Sequence, residues 1–338
     1  MAVLFYAIRR VAWTVPTLMG ALIVIFFLTQ AVPGNAALAR VGQSVDPQTI
    51  AAVKASMGLD KPLPVQFLIY VQHVLQGNLG HSWKTGNDVT ADIAQRLPAT
   101  IELALLTLLV TVPTGIGLGV LAASRPGSVV DRLVQAYALL GMGIPVFWLG
   151  MMCIFIFYFL LGWLPPPSGR LDILDIAPPY VTGLYTIDSL LAGNWALFGS
   201  VISRLVMPVG CLAFVSAAPL VVMVYNIMGV QMRSDYVRAA TAAGIPRGQI
   251  VRRFALKNIM IPVLTMIAHL TRLLLGGTVL VETVFAWPGI ARYAVESMQV
   301  ADLAPLQAVV LIITAATLII NLLVDISYFW IDPRVKVA

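Results

Sequence analysis

The sequence predicts an all-α membrane protein that crosses a bilayer several times. Of its 338 residues, 59% are hydrophobic and 11% are charged, whereas soluble domains carry roughly twice that share of charge. The apolar residues form six runs, each long enough to cross a bilayer as a helix and too long for strands of a barrel. The six predicted spans are Val11–Val32, Pro98–Ala123, Leu133–Gly162, Leu205–Gly229, Ile259–Thr283 and Ala308–Trp330.

The first run is predicted to be a retained span. Ala37-Leu38-Ala39 imitates a signal-peptide cleavage site, but the apolar core is too long for a signal peptide. The segment 33–97 is mixed in polarity and predicts a small, partly helical domain. A helix capped by Asp46 is expected to end at Gly58, and a second amphipathic stretch covers Val65–Leu75.

The basic residues predict the topology. Six spans place both termini on one side of the membrane. The segments 1–10, 124–132, 230–258 and 331–338 hold 12 of the 21 Lys and Arg residues in 56 positions. The segments on the opposite side hold 8 in 131 positions, and one, Arg272, lies inside a span. The first set is therefore expected to be cytosolic.

The outer segments are predicted to contain short helices. Pro165-Pro166-Pro167 begins an extended connector, and 182–191 is a candidate surface helix. Trp287-Pro288-Gly289 starts another helix, with an apolar side formed by Ile290, Tyr293 and Met298. The third span contains Pro145, which predicts a kink or a tilt.

The segment 230–258 is the most informative polar stretch. The alanine-rich stretch 236–243 predicts a helix that ends at Gly244, and Pro246 prevents its continuation. A second short basic helix is expected over 249–258. Two helices joined by a glycine turn form a compact knob, and the alanines allow another protein's backbone to approach closely.

Catalytic and metal-binding motifs are not found in the sequence. The three histidines, His73, His81 and His269, lack ligand spacing, and Cys153 and Cys211 fall inside apolar runs. No lysine follows a glycine, so the chain has no phosphate-binding loop of its own. The net charge of +6 is explained by cytosolic loops rather than by nucleic acid. No cofactor is predicted.

The segment Arg238-Ala239-Ala240, followed after three residues by Gly244, resembles the EAA loop of ABC importer permeases, with arginine where glutamate is usual. Further blocks are similar to the first permease of the dipeptide/oligopeptide/nickel branch. These blocks are Gly77-Asn78-Leu79-Gly80-x-Ser82, Arg96-Leu97-Pro98-Ala99-Thr100-x-Glu102-Leu103, Glu282-Thr283-Val284-Phe285-x-Trp287-Pro288-Gly289, and Asn321-Leu322-Leu323-Val324-Asp325 through Asp332-Pro333-Arg334.

This resemblance implies a type I ABC importer permease fold with an N-terminal span (1–32), a periplasmic segment (33–97), a permease core (98–330) and a cytosolic tail (331–338). It implies a bacterial inner-membrane subunit, not an enzyme itself, that moves dipeptides or oligopeptides. Glutathione or chelated nickel are alternative substrates. The implied partners are a second permease, two ATPase subunits, a periplasmic substrate-binding protein and membrane lipid. The implied ATPase-coupling residues are Asp235, Arg238, Ala239, Ala240, Gly244 and Arg247.

Other classes remain as rivals. A self-sufficient secondary transporter would need paired repeats or broken helices around an ion site, which are not found in the sequence, and an intramembrane enzyme would need a catalytic motif. Within the fifth span, Thr265, His269 and Arg272 share one helix face and are candidate pathway-lining residues. An arginine in the middle of a bilayer is costly unless it faces water or a partner. Arg272 is therefore expected either to bind an anionic part of the substrate or to pair with a partner permease.

Overall fold

A computed structural model describes residues 14–27 and 61–331, with side chains to residue 327, and these residues are mainly helical. The predicted helix over 46–58 and the tail 332–338 lie outside the described residues. The helices in chain order are α1 (Thr14–Phe27), α2 (Leu63–Leu75), α3 (Val89–Ala123), α4 (Val129–Gly143), α5 (Val146–Cys153, continued by a π-helix over Ile154–Leu160), α6 (Tyr185–Leu191), α7 (Trp195–Gln231), α8 (Asp235–Ala242), α9 (247–258), α10 (Met260–Gly277), α11 (Val279–Val284), α12 (Ile290–Gln299) and α13 (Leu303–Ile331).

Four helices of the described residues, α3, α7, α10 and α13, are long and apolar enough to cross a membrane, and the bent pair formed by α4 and α5 can supply a fifth. Part of the first predicted span is described as α1, an apolar helix of 14–27. The fifth predicted span ends earlier than expected, because the chain leaves the helix at Thr278 before α11 begins.

The third predicted span is broken at Pro145, where the sequence predicts a kink or a tilt. The segments Val129–Gly143 and Val146–Leu160 meet at an angle of 103°. Proline disfavours the helical conformation of the residue before it and lacks an N–H group. Ile144 accordingly adopts extended backbone angles, φ −84° and ψ 123°, immediately before Pro145. Pro145 therefore produces a sharp break rather than the predicted kink.

The chain divides into two compact units, of which the first contains α2, the start of α3, α12 and the start of α13. Its core includes Ile290 and Tyr293 of α12, as the sequence predicted. Met298 is 68% exposed, so its predicted place on the apolar side is wrong. Ser297 is buried there instead, because it lies seven residues, or two turns, after Ile290.

The second unit is built around α7. Leu220, Val224 and Met228 of α7 pack with residues of α9 and α10. A Cβ atom added to Gly115 of α3 would lie 2.5 Å from the side chain of Leu220, which is closer than two carbon atoms can approach. Glycine at this position therefore lets α3 and α7 pack closely, as small residues do between membrane helices.

Candidate functional site

Helices α8 and α9 form a helical hairpin over residues 235–258, in agreement with the predicted helix–turn–helix. Helix α8 ends at Ala242, and Gly244 follows in the left-handed conformation with φ +77°. Glycine adopts this conformation without the steric cost that a Cβ atom brings. Pro246 then precedes α9, which begins at Arg247 and contains a π-helical turn over Ile250–Ala255.

The inner face of the hairpin is apolar. Val237 and Ala240 of α8 pack against Ile250 of α9 in a small buried cluster. Ala240 is therefore turned inward, although the sequence placed it with the residues of a docking surface. Its small side chain serves the close approach of α8 and α9.

The outer face of the hairpin carries the remaining predicted coupling residues. Asp235, Arg238, Ala239, Gly244 and Arg247 are all exposed. Arg238 and Asp235 lie 3.6 Å apart as an exposed pair, which contributes little to stability. The guanidinium of Arg247 donates to the main-chain carbonyl of Ser124 at 2.7 Å. This bond connects the start of α9 to the loop between α3 and α4.

This face has the features of a docking surface rather than of a catalytic site. It combines small residues in α8 with a left-handed glycine and several guanidinium groups. No group of three or more His, Cys, Asp or Glu side chains that could hold a metal ion occurs within the described ranges.

Thr265, His269 and Arg272 occupy one side of α10, as predicted. Thr265 and His269 are exposed, and Arg272 is half-buried. Arg272 donates a hydrogen bond to the amide oxygen of Asn321 in α13. The sequence analysis named Asn321 only as part of a family block and did not pair it with Arg272. Arg272 therefore has a third role besides the two that the sequence left open, because it links α10 to α13 within the chain.

A buried ion pair that the sequence did not reveal involves Glu102, more than three turns into α3. Arg170 donates to a carboxylate oxygen of Glu102 at 2.6 Å, and both side chains are at most 5% exposed. The other Glu102 oxygen accepts hydrogen bonds from the N–H and hydroxyl of Thr186. Arg170 also donates to the carbonyl of Gly183. The signal for this cluster was a carboxylate inside an apolar run, which requires a partner.

These contacts anchor residues 161–184 to α3 and α6. We call this segment the outer connector, because the sequence predicts it on the outer side of the membrane. Asp188 in α6 accepts hydrogen bonds from Thr182 and Gly183. Burial raises the pKa of Asp188, but these bonds outweigh it and hold the pKa below its usual value. The predicted surface helix over 182–191 is thus present as Tyr185–Leu191, with Asp188 and Ser189 buried.

The first unit contains its own buried polar cluster. Ser82 donates to Asp302 at 2.6 Å, and Tyr293 donates to Asp92 at 2.8 Å. All four side chains are buried. The Gly77–Ser82 block therefore has a structural role, since Ser82 at its end donates a hydrogen bond to Asp302, the residue before α13.

Comparison with known proteins identifies the class of the protein. Residues 115–337 match the family described as binding-protein-dependent transport system inner membrane component. Residues 3–104 match the N-terminal family of the same membrane components.

The relatives are similar over nearly the whole chain. The chain is 37% identical over 335 residues to the dipeptide transport system permease protein DppB of Alkalihalophilus pseudofirmus, covering 98% of this chain and 99% of the relative. It is 37% identical over 329 residues to the probable D,D-dipeptide permease DdpB of Escherichia coli, covering 97% and 96%. It is 37% identical over 335 residues to the di/tripeptide permease DppB of Pseudomonas aeruginosa, covering 98% and 99%.

The predicted resemblance is confirmed, and the multi-pass arrangement of apolar helices agrees with it. Membership also decides between the rival classes, since the family consists of transport subunits rather than enzymes or self-sufficient transporters. The chain therefore belongs to the family of binding-protein-dependent transport system inner membrane components, the permease subunits of ABC importers.

Proposed function

We propose that this permease moves dipeptides or short oligopeptides across the bacterial inner membrane. It does so with a second, similar permease, two ATPase subunits and a periplasmic substrate-binding protein. Both termini and the 235–258 hairpin lie in the cytosol, as the distribution of basic residues predicts. The observation that carries this proposal is the exposed small-residue face of the hairpin, at the position of the family's ATPase-docking loop.

The construction of the hairpin suits the transmission of force. Val237, Ala240 and Ile250 hold its two helices together, so the hairpin moves as one body. Helix α9 is separated from α10 only by Ile259, which is buried with Ala255 against α7. A movement imposed on α8 by an ATPase subunit is therefore passed directly to α10. Such rigid-body coupling alternates access between the two sides of the membrane.

The substrate assignment depends on the relatives and on the polar side of α10. The relatives are named for dipeptides and tripeptides, which favours peptides over glutathione or chelated nickel. A peptide carries a C-terminal carboxylate, and Arg272 with His269 supplies the cationic and hydrogen-bonding groups that recognise one. Asn321 holds the Arg272 guanidinium in place, which orients it for a transient contact.

The proposal is tested by uptake of a labelled dipeptide into proteoliposomes that contain the complete transporter. Arg272→Gln is expected to reduce uptake by about tenfold or more, most for peptides with a free C-terminal carboxylate, because one charge-assisted hydrogen bond contributes roughly 1.5–3 kcal/mol. Assembly and basal ATP hydrolysis should be unchanged. Arg272→Lys, which keeps the charge, should retain part of the uptake.

A different pattern would change the assignment. If Arg272→Gln prevents assembly, the bond to Asn321 is structural and the pathway role is wrong. Full uptake of amidated and free peptides alike by the variant would exclude both roles. Failure of the wild-type chain to copurify with an ATPase subunit would contradict the proposal that the chain works in an ATP-driven importer.

A further inference from the structure

Helix α9 exposes a group of basic side chains that the proposed coupling function does not use. Arg252, Arg253 and Lys257 are exposed, with Phe254 between them at 39% exposure. We call these four residues the basic–aromatic cluster. Within the part of the chain that the structure describes, no hydrogen bond or ion pair to the three cationic groups is found. The cluster is thus a concentration of positive charge available to an external anion.

The π-helical turn determines which side chains are presented. In a regular α-helix, Phe254 would lie one turn after Ile250 and share its buried side. The turn over Ile250–Ala255 has the wider π-helical repeat, in which hydrogen bonds join residues five apart. Ala255 therefore takes the buried position, and Phe254 is displaced to the surface beside Arg253. An insertion of this kind often occurs at functional sites.

The position of the basic–aromatic cluster just before α10 defines its depth relative to the membrane. Helix α10 starts at Met260 and has 18 residues, so it is about 27 Å long and nearly matches a hydrocarbon layer of ~30 Å. Lys257 precedes Met260 by three residues, or roughly 5 Å along a helix axis. The polar headgroup region is about 5–7 Å thick on each side. Lys257 therefore lies at the level of the headgroups when α10 spans the hydrocarbon. Arg253 and Arg252 precede Met260 by seven and eight residues, or roughly 10–12 Å along a helix axis, and their long side chains can extend back to the headgroups.

The composition of the cluster matches that environment. Lysine and arginine next to a membrane helix are attracted to anionic lipid headgroups, and aromatic rings favour the boundary between headgroups and acyl chains. Arg253 and Lys257 are both exposed and four residues apart, so both charges are available at the surface of α9. A docking surface for an ATPase subunit is the competing explanation. The small-residue face of α8, on the other helix of the hairpin, already provides the docking surface that we propose for an ATPase subunit.

We propose that Arg252, Arg253 and Lys257 bind the phosphodiester of an anionic phospholipid, with Phe254 inserted at the level of its glycerol backbone. The lipid thereby holds the base of the hairpin at the membrane surface. This inference concerns the boundary between α9 and α10 and does not depend on which substrate the permease transports.

The test is lipid retention by the purified full chain, measured by native mass spectrometry from micelles with equal amounts of phosphatidylglycerol and phosphatidylcholine. The wild-type chain is expected to retain phosphatidylglycerol preferentially. Each basic residue near an anionic surface increases binding about fivefold. The combined change Arg252→Gln, Arg253→Gln and Lys257→Gln should therefore lower the preference by at least tenfold. Phe254→Ala should lower retention of both lipids without changing their ratio.

The matched control removes three exposed charges elsewhere on the predicted cytosolic side, through Arg125→Gln, Arg132→Gln and Arg233→Gln, and should leave the preference unchanged. An equal fall in the control would show that net charge alone is responsible and would overturn the proposal. Displacement of the lipid by excess inorganic phosphate would also overturn it, because the site would then take a small anion. The same holds if the first triple variant keeps its lipid preference but no longer copurifies with an ATPase subunit.

Discussion

The outer connector and the 235–258 hairpin both link helices of the second unit, but the charges of the two segments have opposite surroundings. The connector buries Arg170 against Glu102 and satisfies both with additional hydrogen bonds. The hairpin leaves Arg238 and Asp235 exposed as a loose pair. A buried charge requires a permanent partner, whereas an exposed charge can exchange water for another protein. The connector is therefore held in place by its own contacts, and the hairpin keeps charged groups at its surface for the partner subunit that we propose.

Removing one charge of each pair should expose this difference most strongly. Glu102→Ala leaves Arg170 buried without its carboxylate and should destabilise the protein by about 3–5 kcal/mol. The measurement is the thermal unfolding and folded yield of the purified chain. Asp235→Ala is the matched control and should unfold at the wild-type temperature, since its pair with Arg238 is exposed. Equal effects of the two changes would contradict the contrast between connector and hairpin.

A bulky charge at the turn of the hairpin should abolish function without unfolding the protein. Gly244 is exposed and has open space around it, but its φ of +77° is costly for other residues. We expect Gly244→Arg to cost about 1–2 kcal/mol of stability and to eliminate both ATPase recruitment and dipeptide uptake. Copurification and uptake are measured together. Gly248→Arg, at an exposed position with an ordinary backbone conformation, should keep the fold and show which part of the loss is due to the turn.

Substitutions at two neighbouring alanines in α8 should distinguish a loss of ATPase docking from a loss of packing within the hairpin. Ala239 is exposed and Ala240 is buried against Val237 and Ile250. Ala239→Glu should therefore block ATPase recruitment while amide hydrogen exchange across 235–250 stays slow. Ala240→Glu places a carboxylate in an apolar cluster and should accelerate that exchange by roughly tenfold or more. Identical exchange in the two variants would mean that the hairpin lacks the packing described here.

The smallest expected effect is an increase of hydrogen exchange in the outer connector at acid pH. The folded pKa of Asp188 lies below its unfolded value because the hydrogen bonds from Thr182 and Gly183 outweigh its burial. Its contribution to stability is therefore complete above the unfolded pKa of about 3.9 and is lost as the pH falls through the folded pKa. Hydrogen exchange in the connector should stay constant from pH ~8 to ~5, after correction for the intrinsic rate, and increase below about pH 4. Asp188→Asn should remove this pH dependence.

The sequence predicted the local features well, because their causes are local. The end of α8 at Gly244 and the break at Pro145 follow from the backbone preferences of those residues. The size of the break did not follow, since the 103° angle depends on packing around Pro145. The inward position of Ala240 and the exposed position of Phe254 were also missed. A sequence period of 3.6 cannot anticipate a π-helical turn.

Long-range polar contacts were beyond the sequence. Glu102 and Arg170 are 68 residues apart, and Arg272 and Asn321 are 49 apart. Glu102 and Arg272 each indicated that a partner is required, because a charge in an apolar run is costly. The identity of the partner depends on the arrangement of helices, which a single sequence does not specify.

Photocrosslinking tests the central claim most directly. A benzophenone amino acid replaces Ala243 at the end of α8 in the complete transporter, and in a parallel sample it replaces Ile173, which is 93% exposed in the outer connector. If the hairpin is the coupling element, the Ala243 position crosslinks to an ATPase subunit, Gly244→Arg abolishes this crosslink, and the Ile173 position never gives it. An ATPase crosslink from Ile173, or none from Ala243 in a transporter that is active, would contradict the assignment of the hairpin as the coupling element.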